Sequence, residues 1–181
     1  MHALRQCPLF MGMSEVSIEL ALGSIAYQIV SLEKRDVYAL AGMPCRFADI
    51  VVKGSLVCRM ASLSGKQVEV SRLRPGNLVA PAFIFAKDTT LPVSVETDSK
   101  VNILRMTPET LKTLIDKDED IRMNFIHTLS NIDVFLTQKM KVLSLFTVRE
   151  KVAYLLLERA GEQNSNTIHL ERSRQEIADS F

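Results

Sequence analysis

Between Glu119 and Phe146 the chain carries neither Gly nor Pro, a span of 28 residues that predicts one continuous helix about twice as long as the usual globular one. At the standard rise such a helix is roughly 40 Å long. It follows a segment of opposite character. From Tyr27 to Met106 short apolar or alternating runs are separated by Gly, Pro, Asp and Ser: YQIVSL, DVYAL, ADIVVKGSLVCRM, QVEVSRL, LPVSVE and KVNILRM. Evenly spaced short strands of this kind predict a sandwich or small barrel. In QVEVSRL the residues Val68, Val70 and Leu73 form the apolar face, and Leu63-Ser64-Gly65-Lys66 is the expected hairpin turn before it.

Helix signals flank the strands. Ser14 is placed to cap EVSIELALGSI, which is expected to lie on the barrel through Val16, Leu20 and Ile25. Thr107 followed by Pro108 opens ETLKTLID, and Asp116 with Glu119 opens the long helix. Along that helix Phe125, Leu129, Ile132, Leu136, Lys139 and Leu143 recur at steps of four and three, the spacing of coiled-coil core positions. The stripe either packs on the barrel or meets a second copy. Because the helix outruns the strand segment, a homodimer seam through Phe125, Leu129, Ile132, Leu136 and Leu143 is the expectation. Thr147 with Glu150 forms a capping box that restarts the chain as TVREKVAYLLLERA, with Gly161 as its stop. A strand, TIHL, and a second capping box, Ser173 to Glu176, come after it. The resulting division is 1–116, 117–146 and 147–181.

Composition narrows the class. With 47% hydrophobic and 24% charged residues the chain is globular, and no apolar run approaches the ~20 residues of a membrane span. The amino terminus lacks a signal-peptide pattern, so a cytoplasmic location with no membrane partner is expected. Cys7, Cys45 and Cys58 are too far apart for a metal or redox pair and read as buried, inert side chains. The net charge of +1 offers no basic footprint for a nucleic acid. None of His2, His127 and His169 falls in the strand segment, so a His-rich metal centre cannot be built there. No nucleophile elbow or Gly-rich phosphate loop is present. The chain is expected to be no enzyme, with no catalytic residue, metal or cofactor.

One segment has the look of a site: Arg74-Pro75-Gly76-Asn77-Leu78-Val79-Ala80-Pro81-Ala82-Phe83-Ile84-Phe85, then DTTLPVSV. From composition alone it is an ordinary barrel connection. However, VKGSLVCRM, GKQVEVSRLRPGNLVAPAFIF and LPVSVE, the long helix, TVREKVAYLLLERAGEQ and SRQEIADSF, in that order, resemble the Crp/Fnr family of bacterial transcription regulators. The resemblance covers nearly the whole chain. It implies an α+β fold: a double-stranded β-helix (a jelly roll, cyclic nucleotide-binding-like) for effector binding, a long dimerisation helix, a hinge, and the start of a winged helix-turn-helix. Family members that bind cyclic AMP use a Gly-Glu pair and an Arg-Ser or Arg-Thr pair. The corresponding residues here are Ala80-Pro81 and Leu91-Pro92. Without the carboxylate and guanidinium anchors, binding of cyclic AMP in the usual way is not expected.

The resemblance instead implies an effector pocket around Gly76, Ala80, Pro81, Ala82, Phe83, Leu91, Pro92, Leu136 and Thr137, apolar and suited to an uncharged ligand of unspecified identity. It also implies DNA-backbone contacts from Ser173, Arg174 and Gln175, with RNA polymerase a candidate further partner of the homodimer. The expected function is an effector-responsive regulator that binds double-stranded DNA. The alternative is a ligand-binding and dimerisation module that regulates a partner without touching DNA. The net charge is +3 up to Met106, from 12 Lys+Arg against 9 Asp+Glu, and −2 from Thr107 on, from 10 against 12. The acidic half thus contains the expected DNA-binding end, and the natural protein is expected to continue past Phe181 with a recognition helix.

Overall fold

The computed structural model describes residues 1–61, 67–165, 167–170, 173, 174 and 177. The expected hairpin turn at 63–66 lies outside them. The chain divides into two units, Met1–Ser130 and Asn131–Phe181.

In the first unit seven strands make two antiparallel sheets. They are β1 (Gln28–Leu32), β2 (Val37–Ala39), β3 (Ala48–Lys53), β4 (Leu56–Ala61), β5 (Gln67–Leu73), β6 (Ser94–Thr97) and β7 (Val101–Met106). One sheet has the order β1-β7-β3 and the other β2-β6-β4-β5. The three-stranded sheet is covered on both faces, which explains why β3 reads as an almost continuous apolar run. On one face Val51, Val101 and Ile103 join Leu56, Cys58, Val79 and Val95 in the core of the jelly roll. On the other, Ala48, Ile50, Leu104 and Met106 belong to a core shared with the helices. Those helices are α1 (His2–Arg5), a 3₁₀ turn at Pro8–Phe10, α2 (Glu15–Gly23), α4 (Pro108–Lys117) and the start of α5 (Glu119–Leu145). A short α3 (Pro81–Ile84) interrupts the strands, and α6 (Val148–Gln163) belongs to the second unit.

Gly54 takes φ +78° between β3 and β4, and a Cβ there would fall well inside van der Waals contact distance of the Lys100 carbonyl oxygen. Only glycine meets both demands without strain.

Several local expectations are corrected. Ser14 does cap α2, accepting from the Ser17 N–H at 3.1 Å, but the helix buries Ile18 and Leu22 while Val16 and Leu20 are exposed. Ile25 is only partly buried, beside the same core. The helix is apolar on nearly every side, so its sequence did not select a face. Asp118, rather than Asp116, caps α5, accepting from the Ile121 N–H at 3.0 Å. Gly161 lies within α6, and Asn164, in the left-handed region at φ 46°, ends it. Thr167–Leu170 is not a strand. Instead, the Gln163 amide brackets His169, donating to its carbonyl at 2.8 Å and accepting from its N–H at 2.9 Å.

The break between α5 and α6 is well defined. Phe146 meets Tyr154 edge-on at 5.9 Å. The capping box is complete: Thr147 N–H donates to Glu150 Oε2 at 2.7 Å and Glu150 N–H donates to Thr147 Oγ1 at 3.4 Å. The bonds that Glu150 accepts, first from the Thr147 side chain and then from its backbone, hold its carboxyl below its ordinary pKa. A depressed carboxyl pKa contributes helix stability that is present at neutral pH and is lost as pH falls through the folded value. Thr147→Ala is expected to cost about 1 kcal/mol of α6 stability and to flatten that acid dependence. Far-UV circular dichroism against temperature and pH checks both.

Candidate functional site

A cleft of about 170 Å³ opens in the first unit. It is lined by Tyr38 and Ala39 of β2, the Met43–Phe47 loop, Val79, Ala80, Leu91 and Arg105. Its walls are held by backbone pairing. Gly42 N–H donates to the Leu91 carbonyl and Leu91 N–H to the Met43 carbonyl, both at 2.9 Å, while Cys45 N–H donates to the Thr89 carbonyl at 2.8 Å. Val79 N–H donates to the Asp49 carbonyl at 2.8 Å. Ala80 has φ 47°, a left-handed conformation for a residue with a Cβ, as it starts α3. Backbone strain of this kind concentrates at functional sites.

The chemical centre of the cleft is a polar cluster. Asp49 and Arg105 are directly opposed in the β3–β7 pairing, on the face that points into the jelly roll. Asp49 is 0% exposed and accepts from Arg105 Nε at 3.1 and 3.0 Å and from Nη2 at 2.7 Å. From the other sheet, the Tyr38 hydroxyl donates to Asp49 Oδ2 at 2.9 Å. The guanidinium lies over the Phe47 ring at 4.2 Å and over Tyr38 at 5.8 Å, a cation–π geometry. Burial pushes the Arg105 pKa down, but the hydrogen bond and charge of Asp49 more than offset it, so the group is held above its ordinary value. Tyr38 is pushed far above the tyrosine range, first by burial and then by the Asp49 charge. Both therefore keep their protons at neutral pH. Arg46, also at the cleft, is exposed and has no ion-pair partner among the described residues.

The residues expected at an effector pocket are only partly brought together. Ala80 and Leu91 line the cleft. Pro81, Ala82 and Phe83 form α3 beside it, and Pro92 is exposed. Gly76 serves a different purpose: at φ +92° it lies against α1, where a Cβ would come within 3.0 Å of the Ala3 carbonyl oxygen. Leu136 and Thr137 belong to the second unit and are exposed on α5. The Asp49–Arg105–Tyr38 cluster escaped the sequence reading because its members lie far apart in three strands. Its one signal is the occurrence of a single charged residue in each of the largely apolar runs ADIVV and VNILRM.

Along α5, Phe125 is buried and meets Phe85, the residue that ends α3, edge-on at 5.6 Å. Leu129 and Ile132 are half-buried, and Leu136 and Leu143 are 52% and 47% exposed. Lys139 is exposed with its ammonium over the Phe135 ring at 5.5 Å. Among the residues expected at DNA, Ser173 accepts from the Ile177 N–H with its carbonyl at 3.0 Å, as in a first helical turn, and Arg174 is exposed. Gln175 lies outside the described residues. Cys7 and Cys58 are buried, while Cys45 is half-buried at the cleft with its thiol 3.6 Å from the Phe47 carbonyl. Burial pushes all three thiols up, Cys7 to about 12. Among the described residues no group of His, Cys, Asp and Glu could hold a metal ion, and no helix is long and apolar enough to cross a membrane.

No protein-family profile matches the sequence, and no curated protein matches it. Solved structures do. The catabolite activator protein of Thermus thermophilus is similar with a TM-score of 0.69 at 20% identity, over 96% of this chain and 84% of that one. A transcriptional regulator from Thermotoga maritima is similar with a TM-score of 0.65 at 21% identity, over 74% of this chain and 100% of that one. The c-di-GMP-responsive global regulator CLP of Xanthomonas campestris is similar with a TM-score of 0.65 at 17% identity, over 91% of this chain and 83% of that one. The strand order, the helix that follows the sheets and these structural likenesses together establish that the chain has a Crp/Fnr-like fold.

Proposed function

We propose that the chain is an effector-responsive, DNA-binding transcription regulator of the Crp/Fnr type that does not depend on cyclic AMP. The observation that carries the reading is the unspent apolar surface of α5: Leu136, Met140 and Leu143 are 52%, 67% and 47% exposed at positions that recur with coiled-coil spacing. A second copy of the same helix covers such a stripe. Ligand occupancy is read out through α3, because Phe85 at its end packs on Phe125 of α5. An effector then acts by binding one arrangement of this contact better than another.

Independence from cyclic AMP is supported by the cleft. Pro81 and Leu91 offer neither a carboxylate for a ribose hydroxyl nor a guanidinium for a cyclic phosphate. At about 170 Å³ the cleft also falls below the roughly 300 Å³ at which pockets for drug-sized ligands begin. Isothermal titration with cyclic AMP is expected to give no saturable heat, and micromolar binding would refute this part of the proposal.

The regulator reading is tested with the longest natural chain. Selective retention of duplex DNA in a gel shift is expected, together with a dimer in sedimentation. Leu136→Glu with Leu143→Glu is expected to yield a folded monomer and to abolish DNA retention. A wild-type chain that is monomeric, or that retains no duplex, would refute the reading.

A further inference from the structure

The cleft combines an apolar wall with guanidinium groups, and the two together define a ligand more narrowly than either alone. Met43, Phe47, Val79 and Leu91 supply the wall, and among the described residues no Asp or Glu lines it. Arg105 spends Nε and Nη2 on Asp49. Its Nη1 is not among the atoms bonded to Asp49, so part of the fork faces away from that carboxylate while the rest locks its orientation over Phe47. Asp49 cancels the charge of Arg105, and Arg46, at the same cleft, has no ion-pair partner among the described residues.

Resting on the effector reading above, we infer that this cleft takes a small organic monocarboxylate with an apolar body, its carboxylate between Arg46 and Arg105 and its body on Phe47, Val79 and Leu91. The class follows from charge, size and surface. A neutral ligand of the same shape leaves Arg46 without a counter-charge and the Arg105 donors with a weaker acceptor. A cyclic nucleotide brings an anion too, but on a body of drug size, beyond what about 170 Å³ accommodates. A bare inorganic anion leaves the apolar wall unused. This class differs from the uncharged effector expected from the sequence, a reading made without Arg105 on the inner face.

The test uses the longest natural chain with benzoate and butyrate as probes, benzamide as the neutral isostere, and cyclic AMP. Binding is followed by titration and by chemical-shift changes. Benzoate or butyrate is expected to saturate and to shift Phe47, Val79 and Leu91. Benzamide is expected to bind at least about tenfold more weakly, the size of one charge-assisted hydrogen bond. Arg46→Gln changes an exposed side chain without an ion-pair partner among the described residues, so the fold is retained; it is expected to weaken benzoate by a similar factor.

The inference is overturned if neither carboxylate saturates at millimolar concentration, if benzamide equals benzoate, if Arg46→Gln leaves affinity within about twofold, or if the shifts lie away from the cleft. A gel shift on the same sample separates the two levels. Selective DNA retention without carboxylate binding refutes the ligand class alone, whereas absence of DNA retention refutes the regulator reading.

Discussion

Asp49→Ala is expected to lower the stability of the first unit by about 3–5 kcal/mol, a large part of the roughly 5–15 kcal/mol that holds a typical domain together. The carboxylate is fully buried and serves two partners in different sheets, Arg105 and Tyr38. Its removal leaves a desolvated guanidinium without a counter-charge and a buried hydroxyl without an acceptor, and both penalties fall on the folded state alone. The opposite expectation holds when the whole cluster is made apolar. Asp49→Leu with Arg105→Met and Tyr38→Phe removes the charges together, so most of the loss is recovered. Urea unfolding with an unchanged slope distinguishes the two, and a loss under about 1 kcal/mol in Asp49→Ala would show that the pair is not closed in solution.

The second large effect is at Gly54. Its φ of +78° already costs a residue with a Cβ about 1–3 kcal/mol. In addition, the new methyl collides with the backbone carbonyl of Lys100, which has no side-chain rotation to escape by. Gly54→Ala is therefore expected to cost about 3 kcal/mol, combining strain and overpacking. Gly161→Ala is the contrasting control. That glycine is inside α6, and a Cβ added there meets nothing within 4 Å, so the substitution should stabilise α6 by up to about 1 kcal/mol. Equal effects at the two positions would refute the backbone argument.

The strands β1 to β7 and the starts of α2, α4 and α6 were legible because each rests on neighbours in sequence. The runs around β1 to β7 carry their own apolar alternation or continuity, and Ser14, Thr107 and Thr147 lie within three residues of the N–H groups they cap. Features decided by distant partners were not. Asp49 and Arg105 meet only once β3 and β7 pair. The face of α2 was chosen by what it packs against, since Val16 and Leu20 are as apolar as Ile18 and Leu22. TIHL has the composition of a strand, yet the side chain of Gln163 answers its central backbone groups from six residues away. At the site, Ala80 and Leu91 were named from the sequence and line the cleft, whereas its cations, Arg46 and Arg105, were not.

The apolar alternation of β5 also fails where it was expected to continue. Cys58 pairs with Ser71 and Arg59 with Glu69, so Val70 is an extra residue bulged out of the ladder and is 45% exposed. β5 is the outer strand of its sheet, with one side not paired by any strand in that order. An open row of N–H and C=O groups is a template on which other chains can add strands and aggregate. The bulge breaks the repeat of that template, and Glu69 and Arg72, paired on the same strand at 3.1 Å, add charge beside the break. A single out-of-step valine thus guards the colloidal stability of the protein by spoiling the flat edge on which a fibril would start.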